Sequence, residues 1–194
     1  MSGVMDLVGQ LTQGDTLKRL SGQLGMDDDA VGKGIGAAGP LLVAALARNA
    51  ASPDGARKLD AALDAHDGAT LDDLPRAAGN ADSADGEKIL GHVLGDRLDG
   101  ARAAIARATG TSDEQAGQLL ATLAPLVMGA VGRLRREEGL DASSLPSRLA
   151  EVRDGLQHHG PEIMAFATQL LDRNQDGSIA DEVGGFVGKL FGKR

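Results

Sequence analysis

The amino-acid sequence has no cysteine, tryptophan or tyrosine and only three phenylalanines. Without cysteine the chain can form no disulfide framework, no thiolate metal site and no cysteine nucleophile. This absence fits the cytoplasm, which is the location we expect, without excluding secretion. The phenylalanines are Phe166, Phe186 and Phe191, so the first 165 residues must build their core from Ala, Leu, Val, Ile and Met.

These core residues mostly favour helices, and the β-branched or aromatic runs typical of strands are missing. We therefore expect an all-α, multihelical fold. The net charge of −8 argues against nucleic acid, because phosphate binding needs a basic surface. One basic cluster, Arg133, Arg135 and Arg136, lies at an expected helix C-terminus, where cations are favoured by the helix dipole.

The N-terminus lacks a basic stretch followed by a long apolar one, so no secretory signal is predicted. The longest apolar run, 35–47, is shorter than the ~20 residues that span a bilayer. We therefore expect no membrane span.

Two segments of the sequence, 25–47 and 110–132, align without a gap at an offset of 85 residues. Paired prolines within a shared apolar stretch make chance an unsatisfactory explanation, and we predict two tandem copies of one helical unit. The identical pairs are Gly25/Gly110, Asp28/Asp113, Gly32/Gly117, Pro40/Pro125, Leu41/Leu126 and Ala45/Ala130.

Each copy predicts the same local structure. A short helix ends at Gly25 or Gly110 in a left-handed conformation, and Asp27 or Ser112 caps the next helix. The proline should kink or break that long helix about four residues upstream, near Gly36 and Ala121, because it removes a backbone hydrogen bond. Further helices are expected at 53–65, 87–98 and 149–156, with a loop at 68–85. The predicted units are 1–100, 101–160 and a C-terminal hairpin at 161–194.

No catalytic site can be assembled from the sequence, and we expect a protein that is not an enzyme. The glycines of 34–39 have the spacing of a dinucleotide-binding motif, but no strand is predicted before them. Close helix packing explains these glycines better. His92 lies on an apolar helix and should face the core or a cleft. The sequence contains no Ser–His–Asp set, no paired histidines at helical spacing and no phosphate loop.

The segment 172–182 carries the pattern of a calcium-binding loop between two helices. Asp172, Asn174 and Asp176 stand at loop positions 1, 3 and 5, Gly177 follows at the turn, and Ser178 supplies a backbone carbonyl at position 7. Val183 stands at position 12, where a bidentate glutamate is usual, so Asp181 or Glu182 must substitute. The predicted cofactor is Ca²⁺, and its ligands are Asp172, Asn174, Asp176, Ser178, Asp181 and Glu182.

A metal-free interpretation of the same segment stays open. Ser178 and Asp181 have the spacing of a capping box, and Asp176-Gly177 makes a tight turn without metal. If calcium binds, we expect it to dock the side of the hairpin that carries Phe186 and Phe191 onto the preceding helix.

Three features of the sequence occur together: the duplicated Pro-Leu helix, the segment Gly86-Glu-Lys-Ile-Leu-Gly-His-Val-Leu94 and the segment Leu170-Leu-Asp-Arg-Asn-Gln-Asp-Gly-Ser178. In these features the sequence resembles the YidB-like family of bacterial helical proteins, whose domain has no assigned function. The resemblance covers about 25–194 and implies a fold but no chemistry.

We favour a non-catalytic protein that binds an as yet unknown protein partner, with its EF-hand-like loop at the C-terminus. Self-association into a homo-oligomer is left open. The alternative is a DNA-associated regulator, because 109–120 is similar to the start of a helix-turn-helix. A hydrolase acting through carboxylates is the third hypothesis, with no pair of residues to name.

Overall fold

The computed structural model describes residues 3–66, 68–79 and 83–157, and within these ranges it is helical and has no strand. This confirms the all-α class for the described part of the chain. Two 3₁₀ turns, Ala69–Asp73 and Gly95–Arg97, lie between the α-helices. The α-helices are α1 (Gly3–Leu11), α2 (Gly14–Leu24), α3 (Asp28–Ala50), α4 (Pro53–Leu63), α5 (Leu74–Gly79), α6 (Ser83–Leu94), α7 (Leu98–Thr109), α8 (Asp113–Glu138) and α9 (Leu145–Gln157).

The two longest helices, α3 and α8, form the centre of the fold. They pack against each other, α1, α6 and α7 contact both of them, and α9 packs on α3. Most residues of α3 and α8 are buried, and one continuous core contains side chains from both. Residues of the two predicted units therefore share one hydrophobic core.

The predicted helix ends are confirmed. Gly25 and Gly110 have φ of 61° and 73°, and each closes the helix before it in the left-handed conformation. The Asp27 side chain accepts a hydrogen bond from the backbone N–H of Ala30 at 2.8 Å. Ser112 forms a capping box at the start of α8, in which its hydroxyl oxygen accepts from the backbone N–H of Gln115.

Of the expected kink or break at the prolines, the break is absent, because α3 and α8 run through Pro40 and Pro125 without interruption. The kink stays a prediction. A proline costs one backbone hydrogen bond, but here the flanking turns are buried on several sides and packing holds the helix together. Leu41 and Leu126, which follow the prolines, are buried as expected. Pro40 is buried and Pro125 is half-buried.

The centre of the fold brings equivalent positions of the two aligned segments together. A side chain added at Gly34 in α3 would overlap the δ-carbon of Leu119 in α8, and Leu119 is the residue 85 positions after Gly34. A side chain at position 34 would therefore require the end of the Leu119 side chain to move, which agrees with the close helix packing that the sequence indicated. Gly36 has nothing within 4 Å of an added Cβ, so the explanation does not extend to every glycine of 34–39.

Several predicted boundaries need correction. The segment 68–85, expected to be a loop, contains a 3₁₀ turn, all of α5 and the start of α6. The helix expected at 87–98 ends earlier, because Gly95 has φ of 53° and separates α6 from α7. Helix α9 begins at Leu145, four residues before the predicted start. The hairpin predicted at 161–194 lies outside the described residues.

Helices α3 and α8 are also long and apolar enough to cross a membrane by length and composition. Polar residues at their ends make each helix longer than the apolar run seen in the sequence. Most of each apolar stretch is buried against other helices of the fold. Core helices of helical proteins have these same properties.

Candidate functional site

The six predicted calcium ligands, Asp172, Asn174, Asp176, Ser178, Asp181 and Glu182, lie outside the described residues. The structure therefore leaves the metal site a prediction. Within 3–66, 68–79 and 83–157, no group of three or more His, Cys, Asp or Glu side chains is placed to hold a metal ion.

The basic cluster near the end of α8 is held by carboxylates from elsewhere in the chain. Arg133 pairs with Asp72 at 2.6 Å and donates to the carbonyl of Gly68. Arg135 lies 2.6 Å from Asp60 and 2.7 Å from Asp64, and the hydrogen bond to Asp64 raises the pKa of its guanidinium. These contacts tie α4 and the following 3₁₀ turn to α8.

The contact between Asp60 and Arg135 is an ion pair without a well-aligned hydrogen bond. Its Oδ1 atom is buried and has no well-aligned hydrogen bond, although the Arg135 Nε atom is within 2.6 Å. The short separation is sufficient for an ion pair, because attraction between opposite charges does not need the directionality of a hydrogen bond. The cluster therefore positions helices, which agrees with a structural role for these arginines.

A second set of charges joins α8 to α9. The Nε and Nη2 atoms of Arg148 donate to the Glu138 carboxylate, at 2.7 and 2.8 Å, and this pairing lowers the pKa of Glu138. In the connecting turn, one carboxylate oxygen of Asp141 accepts hydrogen bonds from the backbone and hydroxyl groups of Ser143 and Ser144. Those hydrogen bonds hold the pKa of Asp141 far below its usual range, and the bond from the Ser143 hydroxyl contributes most.

The prediction that His92 faces the core or a cleft is wrong, because its side chain is exposed. Helix α6 turns its leucine and valine side chains to the core, and His92 lies on the opposite side. His66 is half-buried, and its Nε2 atom lies 3.8 Å from Asp85. The remaining histidines, His158 and His159, lie outside the described residues.

These arrangements indicate what the described part of the chain can do chemically. Hydrogen bonds to cations or hydroxyls lower the pKa of Asp54, Glu138 and Asp141, so each stays ionised at neutral pH. An ionised carboxylate in an ion pair stabilises structure and is poorly suited to donate a proton. Sequence reasoning missed these pairs, because Arg133 and Arg135 meet partners 61 and 71 residues away.

Comparison with known proteins gives one match. The sequence profile of a family described as bacterial proteins of unknown function (DUF937) matches residues 6–134. No curated protein and no solved structure is significantly similar to the chain. The matched range runs from α1 almost to the end of α8 and so contains both aligned segments. The chain belongs to this bacterial family of unknown function.

Proposed function

We propose that the chain is a non-catalytic, cytoplasmic binding protein whose C-terminal loop takes up calcium and presents an adjoining apolar segment to a protein partner. The order of oxygen-bearing residues in 172–182 carries this proposal. Asp172, Asn174 and Asp176 alternate as calcium loops require, and Gly177 follows where the turn demands glycine. Outside this segment the sequence has no comparable run of ligands.

The distribution of aromatic residues supports placing recognition near the C-terminus. All three phenylalanines follow residue 165. In the part of the chain that the structure describes, every leucine, isoleucine, valine and methionine with a described side chain is buried or half-buried. Buried aromatic anchors contribute much of the energy of protein interfaces. Phe186 and Phe191 are therefore the residues that we assign to partner binding.

The resemblance to the YidB-like family is consistent with this proposal. The YidB-like pattern includes the Asp/Asn-Gly loop and its apolar tail, and we propose that the chain is a YidB-like member with a duplicated helical unit. Matching caps at Gly25 and Gly110, and equally placed prolines within α3 and α8, support the duplication. The domain limits at 100 and 160 stay predictions.

The DNA-binding alternative gains nothing from the structure. The segment 109–120, which is similar to the start of a helix-turn-helix, includes the first turns of α8, and residues Ala116 to Ala124 of this helix are buried except for Gln118. A recognition helix must expose side chains to the major groove. A helix packed on several sides within a protein core cannot enter that groove without unfolding the core.

Isothermal titration calorimetry with calcium chloride tests the metal site. We expect the full chain to bind one equivalent with a dissociation constant of about 10⁻⁴–10⁻³ M, since the glutamate at position 12 is missing. Asp176→Ala should abolish binding, because it removes an oxygen ligand from the tightest part of the turn. Asp96→Ala is the matched control, since Asp96 is exposed and far along the chain from the loop.

Two results would overturn the proposal. One is the absence of saturable heat at millimolar calcium, which would leave the capped-turn interpretation of 172–182. The other is equal loss of binding in Asp176→Ala and Asp96→Ala, which would show nonspecific attraction of calcium to an acidic protein. Magnesium chloride at the same concentration provides the control for ionic strength.

A further inference from the structure

A cleft between α2 and α5 combines features that the proposed calcium loop does not use. The two helices contact each other, and the space beside their contact has a volume of about 330 Å³. That volume is at the lower end of the range for small-molecule pockets. Its lining residues are Arg19, Asp73, Pro75, Arg76 and Gly79.

The two arginines of this cleft differ from most others in the described residues. Arg57, Arg133, Arg135, Arg148 and Arg153 each lie within 3.3 Å of a carboxylate oxygen. Within the same described ranges, the side chains of Arg19 and Arg76 make no ion pair or hydrogen bond, although the protein carries more acidic than basic residues. Two exposed cations from different helices thus line one cleft.

The backbone that carries the two arginines is anchored to the rest of the fold. Asp73 uses its carboxylate oxygen to accept the backbone N–H of Arg76 at 3.4 Å, at the start of α5. Arg19 precedes the fully buried Leu20, and Arg76 is two residues before the fully buried Ala78. The main chain at each arginine is therefore anchored by the core, so that a ligand would have to order the two side chains but not the backbone.

We propose that this cleft binds the phosphate group of a small, soluble molecule through Arg19 and Arg76. A guanidinium presents a planar set of N–H donors that matches the oxygens of phosphate, and two such groups can share one tetrahedral anion. The cleft has room for a phosphate with a small substituent. The Asp73 carboxylate at its edge disfavours a second anionic group on the ligand.

The cleft belongs to the first helical unit alone. At the aligned offset of 85 residues, Arg19 corresponds to Ala104, which is buried in α7. The shared helical scaffold therefore does not require an arginine at this position. Its presence in α2, in the lining of the same cleft as Arg76, is a feature specific to this end of the molecule.

The test is an NMR titration of the ¹⁵N-labelled full chain with sodium phosphate at constant ionic strength. We expect the Nε–H resonances of Arg19 and Arg76 to shift and saturate, with a dissociation constant of about 1 mM or lower. Arg19→Gln and Arg76→Gln should each weaken binding by about tenfold, the effect of losing one charge-assisted hydrogen-bonding group. Arg107→Gln, at an exposed position in α7, is the matched control and should bind as the wild type does.

Three outcomes would overturn the assignment. The first is a linear response to phosphate equal to that to sodium chloride. The second is equal weakening in all three arginine variants, which would indicate nonspecific charge attraction. The third is binding to phosphatidic acid vesicles without binding to phosphate or glycerol phosphate, which would exclude a small soluble ligand. Sodium acetate serves as the carboxylate comparison, and we expect it to bind more weakly than phosphate.

Discussion

At the scale of single residues, Gly86 explains how α6 lies so close to α8. In a regular α-helix each carbonyl oxygen accepts a hydrogen bond from the backbone N–H four residues later. Pro125 has no N–H, so the carbonyl oxygen of Ala121 lacks this hydrogen bond. The backbone of Ala121 lies where a Cβ on Gly86 would be, with its carbonyl carbon 2.6 Å from that point. The absence of a side chain at Gly86 therefore lets α6 approach α8 closely at the turn where Pro125 removes a backbone hydrogen bond.

Replacing Gly86 by alanine tests this contact. The methyl group would collide with the backbone of Ala121, which cannot rotate away, so we expect a loss of about 1–3 kcal/mol in the free energy of unfolding. Gly91→Ala in the same helix is the control, because nothing lies within 4 Å of its added Cβ. It should gain about 0.5–1 kcal/mol from helix propensity.

Urea unfolding followed by far-ultraviolet circular dichroism measures both variants. Equal stability of Gly86→Ala and Gly91→Ala would show that α6 can move away from α8 at no cost. The fluorescence methods usual for such work are not applicable, since the chain has neither tryptophan nor tyrosine.

At the scale of elements, structural features that depend on residues close together in the sequence could be predicted. Features that depend on residues far apart in the sequence could not. The caps at Asp27 and Ser112 follow from residues within one turn, and both are present. The continuous course of α3 through Pro40 depends on neighbouring helices that a local pattern does not reveal. The charged pairs of α8 with α4 depend on contacts across 71 residues or more, which composition and spacing cannot indicate.

The turn between α8 and α9 makes stability depend on pH. The pKa of Asp141 is lowered on folding by its four hydrogen bonds from Ser143 and Ser144. A lowered carboxyl pKa adds stability that is present above the unfolded-state value, near 4, and is lost as the pH falls towards the folded-state value. Asp141→Asn should therefore lower the melting temperature at neutral pH, and the difference from wild type should shrink below about pH 4.

Thermal melts at neutral pH and at about pH 3 measure this difference. Asp96→Asn is the control, because Asp96 is exposed and lies outside the turn between α8 and α9. A melting-temperature difference for Asp141→Asn that is the same at both pH values would contradict a role for the ionised carboxylate.

At the scale of the whole molecule, the chain divides into a helical body and a C-terminal segment with a different composition. The body has an aliphatic core shared by both aligned segments, and its described large apolar side chains are at least half-buried. The C-terminal segment contains the phenylalanines and the predicted calcium ligands. The class of the body could be predicted from composition, whereas the exposed position of His92 required the structure.

The central claim concerns the calcium ligands of that C-terminal segment, and NMR tests it most directly. In ¹H–¹⁵N spectra of the full chain, calcium should shift the amide resonances of 172–182, with Gly177 among the largest changes. Resonances of α3 and α8, in the core of the body, should stay in place. Magnesium at equal concentration should produce smaller changes, because Mg²⁺ dehydrates reluctantly. Unchanged resonances throughout 172–182 at millimolar calcium would contradict the account.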